Sequence, residues 1–197
     1  MGEQLAAEQI YECLLAFGQQ GTNPALEVIG DAEAFQSGRH YPEPYLDFAG
    51  KGLRAYYHSH SHPQQAEGEH GHFHLFAQTG ADCWSHLAAL SMDQQGQSRR
   101  WLSTNRWVTD ECWKPATQLQ EFSLPPLDGS KLSLAERWLH AMLVLHRQEL
   151  NQLWRQRDDY LNSIKKETDV LLEDREHYVL AEHQIDLLQK MQQVLKL

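Results

Sequence analysis

Residues 53–92 read LRAYYHSHSHPQQAEGEHGHFHLFAQTGADCWSHLAALSM, and this stretch holds seven of the chain's twelve histidines. Side chains on a strand alternate between faces with a period of two. His58 and His60 therefore share one face of a first strand, and His70, His72 and His74 share one face of a second. Phe73 and Leu75 fall on the opposite, apolar face. The linker over 61–69, SHPQQAEGE, carries Pro63 and Gly68 and closes the two strands as an antiparallel hairpin. With His60 opposite His70, His58 faces His72 and Tyr56 faces His74. Opposed Cβ atoms lie about 4.5–5.5 Å apart, which lets several imidazoles reach one ion at about 2.0–2.1 Å from each nitrogen.

Outward from the hairpin, the pattern predicts four strands, over 53–60, 70–78, 83–92 and 98–105. TGAD at 79–82 and DQQGQ at 93–97 supply the turns between them. The expected fold class is α+β: a four-stranded antiparallel meander with an N-terminal helix and a long C-terminal helical hairpin. Leu5, Ala6, Ile10, Cys13, Leu14 and Phe17 form one apolar stripe of the first helix, over 3–17. Asn23 and Pro24 open a shorter one running to Phe35. The segment 39–52, RHYPEPYLDFAGKG, reads as a packed connector, with a lid over the site as the alternative. At 104–113, TNRWVTDECW places Trp107 and Trp113 in the core or at a pocket rim, and EFSLPPLDG at 121–129 is a linker.

From 131 to 197 there is no glycine and no proline. Ser133 and Glu136 form a capping box, and apolar residues recur by threes and fours as a heptad seam would. One unbroken helix here would run about 95 Å, so two helices breaking near 155–159 are expected, with a dimerising coiled coil as the rival. The chain thus divides into an α+β domain over 1–130 and a helical extension over 131–197 that offers a surface for a second copy or a partner protein.

The formal net charge is -10. Residues 1–130 carry 7 basic and 16 acidic side chains against 10 and 11 in 131–197, so no cluster of Lys and Arg tracks nucleic-acid phosphates. The first residues lack a basic n-region and no apolar run could span a bilayer. With Ala6 where a myristoylation signal needs Ser or Thr, a cytoplasmic protein is expected. Cys13, Cys83 and Cys112 are odd in number and far apart, which reads as free thiols rather than a disulfide framework or zinc finger.

Three or more neutral imidazoles on one face are a common way to hold a divalent transition metal such as Fe, Zn or Cu. The candidate ligands are His58, His60, His70, His72 and His74. His86 joins them only if the turn at 79–82 sets its register toward that face, and Glu69 only from the irregular end of the strand. On this reading the chain is a mononuclear metal-dependent enzyme with an open coordination position for a small molecule, and Tyr57 or Arg106 orients a polar or anionic group. The alternative is a non-catalytic carrier, sensor or accessory subunit. A metal-free polar sheet face, its histidines bonded across strands and to solvent with Tyr56, Tyr57 and Ser59 as partners, accounts for the same pattern. His140, His146, His177 and His183 lack helical metal-site spacing and read as ordinary surface or packing residues.

YYHSH, GEHGHFHLF, SMD before a glycine turn, and TNRWVT together resemble an uncharacterised bacterial family, one of the domains of unknown function. The resemblance covers about 53–113. It implies a shared core and no particular reaction.

Overall fold

The computed structural model describes residues 1–60 and 67–197. The chain is built on one antiparallel sheet of six strands in chain order. They are β1 (Tyr41–Leu46), β2 (Leu53–His58), β3 (Glu69–Gly80), β4 (Cys83–Asp93), β5 (Ser98–Thr104) and β6 (Val179–Gln184). The expected meander is β2 to β5, and a strand is added at each edge. Most of the linker expected to close the β2–β3 hairpin, with His62 and Pro63, lies outside the described residues.

Each added strand has a physical reason for being hard to read. β1 lies in the segment expected to be an irregular connector. Pro42 and Pro44 lack the N–H a ladder needs, which confines such a strand to an edge, and β1 is an edge. β6 comes from the stretch expected to be helical, where the absence of glycine and proline gives no signal that a helix has stopped. It pairs with β5 from Arg100↔Gln184 to Thr104↔Val179, so 131–197 completes the sheet begun by 41–104.

The long helical hairpin over 131–197 does not form. The chain makes α5 (Leu134–Leu145), α6 (Arg147–Ser163) and α7 (Thr168–Leu172), then β6, then α8 (Leu187–Leu195). The breaks fall at His146 and Ile164 rather than near 155–159. The capping box is present, with Ser133 Oγ accepting from the Glu136 amide at 3.1 Å and Glu136 Oε2 from the Ser133 amide at 2.8 Å. Leu171, which falls on the expected helical seam, is instead buried with Leu161, Leu172 and Leu180 in a small separate cluster.

Ahead of the sheet come α1 (Glu3–Gln19) and α2 (Pro24–Ile29), the latter shorter than expected. Asn23 caps α2 by accepting from the Leu26 amide at 2.9 Å. Between β5 and α5 lie α3 (Arg106–Thr109) and α4 (Ala116–Glu121). α1 and α5 cover one sheet face, where Ala55, Tyr57, Phe73, Leu75 and Leu90 join Ile10, Trp138 and Leu139 in the main core. Each fully buried large apolar side chain contributes about 1.5–3 kcal/mol. Tyr56, His58, His72, His74 and His86 occupy the other face. Asn105, buried after β5, donates to the carbonyls of Leu171 at 2.8 Å and His177 at 3.0 Å, tying the segment beyond β5 to the one that leads into β6.

Candidate metal centre

The β2–β3 ladder pairs Tyr56 with His74 and His58 with His72, the register the alternation predicts. His60 lies beyond the end of β2. Its ring centroid is 5.0 Å from that of His58 and 5.2 Å from that of His72, while its Nε2 meets Tyr178 Oη at 2.5 Å.

A bulge between Glu69 and Gly71 interrupts the alternation of β3. His70 is thereby turned to the helix-bearing face, with Nδ1 2.6 Å from Tyr57 Oη and its ring stacked on Phe35 at 5.3 Å. Glu69 takes the place on the histidine face. Gly71 is what allows the close approach: a Cβ there would lie 2.5 Å from the His58 carbonyl oxygen and 2.7 Å from Tyr57 Oη.

His58, His72 and His74 converge. His58 Nε2 lies 2.9 Å from His72 Nε2 and 3.1 Å from His74 Nε2, and the three rings are 9%, 3% and 0% exposed. With metal–nitrogen bonds of about 2.0–2.1 Å, such separations subtend about 90–100° at a shared ion. The far nitrogens are engaged as well. His72 Nδ1 is 3.0 Å from Glu69 Oε1, and His74 Nδ1 is 2.9 Å from His86 Nε2. A carboxylate only accepts, so His72 carries its hydrogen on Nδ1 and presents the Nε2 lone pair to the cluster. His74 does the same when it donates to His86. A hydrogen on His58 Nε2, shared between those two lone pairs, satisfies the metal-free cluster, and moving it to Nδ1 leaves a lone pair on each of three neighbouring Nε2 atoms.

Burial keeps His58, His74 and His86 neutral. Burial, and secondarily the other imidazoles, depress His58 to about 2 and hold His74 well below the usual histidine range. Burial and the Arg157 guanidinium lower His86 to about 3. Burial alone would raise Glu69, but hydrogen bonds from His72 and Ser91 and the charge of Arg100 more than offset it and leave the carboxyl below its ordinary value. Ser91 Oγ donates to Glu69 Oε2 at 2.6 Å, and Arg100 bridges Glu69 and Glu182.

His86 reaches the histidine face because β4 bulges opposite Leu75 and Phe76, pairing His86 with Phe76. Its amide donates to Glu111 Oε2 at 2.5 Å. Tyr57 is fully buried on the helix-bearing face, and Arg106 Nε is engaged by Glu173 at 2.8 Å. Sequence reasoning missed His40, whose ring stacks on Tyr56 at 3.9 Å and meets His58 edge-on at 5.3 Å. It also missed Tyr178. His40 comes from the segment before β2 read as a connector or lid, and Tyr178 from the stretch read as helix, where no local periodicity marks them.

Fold and site together define an α+β protein whose antiparallel sheet carries a buried histidine cluster that could hold a metal. The chain belongs to the family described as a domain of unknown function, DUF6969, whose family model matches residues 4–185. That match reaches well beyond 53–113, taking in most of α1 and all of β6. No curated protein and no solved structure matches the chain.

Proposed function

We propose that the chain is a mononuclear metalloprotein that holds a divalent iron, zinc or copper ion on Nε2 of His58, His72 and His74 and acts on a small molecule there. One observation carries the reading: the ligand nitrogens of three buried imidazoles lie within 4.8 Å of one another while Glu69 and His86 hold the far nitrogens of two of them. Metal-bound histidines characteristically have the second ring nitrogen held in this way, which fixes the tautomer and raises the basicity of the ligand. Three protein ligands also leave a coordination position for water or substrate, as in catalytic rather than closed structural sites.

Once bound, the ion would supply Lewis-acid or redox chemistry. The protein's own part is positional. Tyr56 and His40 wall one side of the cluster, and the hydrogen-bonded pair His60 and Tyr178 sets a proton-carrying group beside it. Burial of the triad favours a retained ion over one handed on, which places a carrier or sensor role second. Three unpaired thiols fit a reducing, cytoplasmic setting.

The test is elemental analysis of protein purified without a polyhistidine tag, followed by thermal melts of the metal-free form with added Fe(II), Zn(II) or Cu(II). The expected result is one ion per chain. An ion at a hundred times its Kd adds about 2.7 kcal/mol, or roughly 5–10 °C for a chain of this size. His72→Ala and His74→Ala abolish the shift and His177→Ala keeps it. A preparation with no metal, whose melting none of the three ions alters, overturns the proposal.

A further inference from the structure

Cys83 and Cys112 are separated by most of β4, all of β5 and α3, yet the fold lays the backbone at Cys112 against the strand that begins with Cys83. The Cys112 amide donates to the Trp84 carbonyl at 2.8 Å, laying the segment after α3 along the start of β4. Ser85 Oγ donates to the Cys112 carbonyl at 2.6 Å and lies 2.8 Å from Thr79 Oγ1, which in turn lies 3.3 Å from Cys83 Sγ. Thr79 Oγ1 and Ser85 Oγ thus link the Cys83 thiol to the Cys112 backbone, and each thiol perturbs the other's titration. Both are partly exposed, whereas Cys13 is 1% exposed within the main core.

We propose that Cys83 and Cys112 form a peroxide-reactive dithiol, with Cys83 as the attacking thiol and Cys112 as the resolving one. The assignment follows from the neighbours. Hydrogen bonds from Cys112 and Thr79, with the charge of Lys114, lower the Cys83 thiol, whereas the Cys112 thiol is raised by its proximity to Cys83. The thiolate is the reactive species. Burial pushes Cys13 up to about 11 and leaves it inert.

Cys83 sulfur attacks one oxygen of hydrogen peroxide, the O–O bond breaks, and hydroxide leaves and takes the thiol's proton as water. The resulting Cys83 sulfenic acid is attacked by Cys112 sulfur. An S–S bond forms, and the sulfenic oxygen leaves with the second thiol's proton as another water. Two thiols and one peroxide thus give one disulfide and two waters, with sulfur oxidised and peroxide reduced. The disulfide would fasten the 110–114 segment to the β3–β4 end, next to the Glu111 carboxyl group that holds the His86 amide. This site is independent of the metal reading.

The experiment treats reduced full-length protein, in the presence of a metal chelator, with one equivalent of hydrogen peroxide and reads it by intact mass and peptide mapping. Wild type is expected to lose two hydrogens and yield a cross-linked peptide pair containing Cys83 and Cys112, with thiols counted after unfolding falling from three to one. Cys112→Ser is expected to stop at the sulfenic acid, trapped by dimedone on Cys83, and Cys83→Ser to resist oxidation under the same conditions. A wild-type protein that keeps all its thiols, gains oxygen atoms on separate cysteines, or cross-links only between copies overturns the proposal. So does a Cys83→Ser variant in which Cys112 reacts as fast as the wild-type pair.

Discussion

Replacing Glu69 by glutamine tests whether the triad is a metal site built with its supports or a histidine cluster that satisfies itself. Glu69 is nearly enclosed and uses both oxygens: Oε1 faces His72 Nδ1 at 3.0 Å, while Oε2 accepts from Ser91 Oγ at 2.6 Å and faces Arg100 Nη2 at 3.4 Å. A carboxamide of the same shape accepts through only one of its two ends. With its oxygen toward His72, its NH2 meets the Arg100 guanidinium, donor against donor. Turned over, it donates to His72 Nδ1, and the ring hydrogen moves to Nε2, where the metal needs a lone pair. The free protein escapes the clash by turning the amide over, whereas the bound state needs the Nε2 lone pair and must keep the clashing orientation, so the substitution costs the bound state more. Loss of such an outer support lowers metal affinity about 10–100-fold, or about 1.4–2.8 kcal/mol. The assay is competition for zinc between metal-free protein and a chromophoric chelator, for wild type, Glu69→Gln and Ser91→Ala. Ser91 acts only through Glu69, so its removal should weaken binding less. A folded Glu69→Gln protein that binds zinc as tightly as wild type refutes the reasoning.

Gly71→Ala should cost about 1–3 kcal/mol through overpacking and abolish the metal-dependent rise in melting temperature, because the new methyl group drives β2 and β3 apart at the His58–His72 pair; urea unfolding with and without metal reads both effects. Glu111 has its carboxyl raised by burial from 4.5 to about 8, so its contribution is fully present below the unfolded value and is lost as pH rises toward the folded one. Between about pH 5.5 and about 7.5, wild type should therefore lose about 2 kcal/mol more stability than Glu111→Gln, which keeps an acceptor for the His86 amide; parallel pH profiles from urea melts show no such gap if the reading is wrong. His86→Ala should leave His74 Nδ1 without its partner and reduce metal affinity about 10–100-fold, whereas His177→Ala, which removes a surface bond to Tyr160, should leave it unchanged by the same zinc competition.

The strands at the centre were legible because one face of each is apolar and the other polar, and a one-residue slip would put histidines into the core. That constraint keeps the histidines on one face, and a pairing of His60 with His70 implies His58 opposite His72, the register observed. It also left the edges unread. The Tyr41–Leu46 strand contains two prolines, which argue against a strand until its edge position is known. The Val179–Gln184 strand follows a stretch whose leucines repeat at helical intervals, and nothing local distinguishes burial against a sheet from burial against another helix. His40 and Tyr178 were illegible for the same reason, since each meets the cluster through those two unread strands or the chain beside them.

The bulge at Glu69 and Gly71 decides what the cluster can be. Strict alternation would have lined the face with His70, His72 and His74 and sent Glu69 away, leaving an all-imidazole ladder with no anion behind it. One extra residue at the start of β3 exchanges the two: His70 goes to Tyr57 and Phe35 on the helix side, and a carboxylate arrives against His72 Nδ1. The exchange needs residue 71 to lack a side chain, since the strand runs hard against the His58 carbonyl. A glycine between two histidines is therefore the signal in EHGHFH that the period of two is broken, since glycine inside a strand marks bulges and close backbone approach. The resulting set, three inward nitrogens with an acid and an imidazole behind two of them, has the division of labour of a metal centre, which five equivalent histidines would lack.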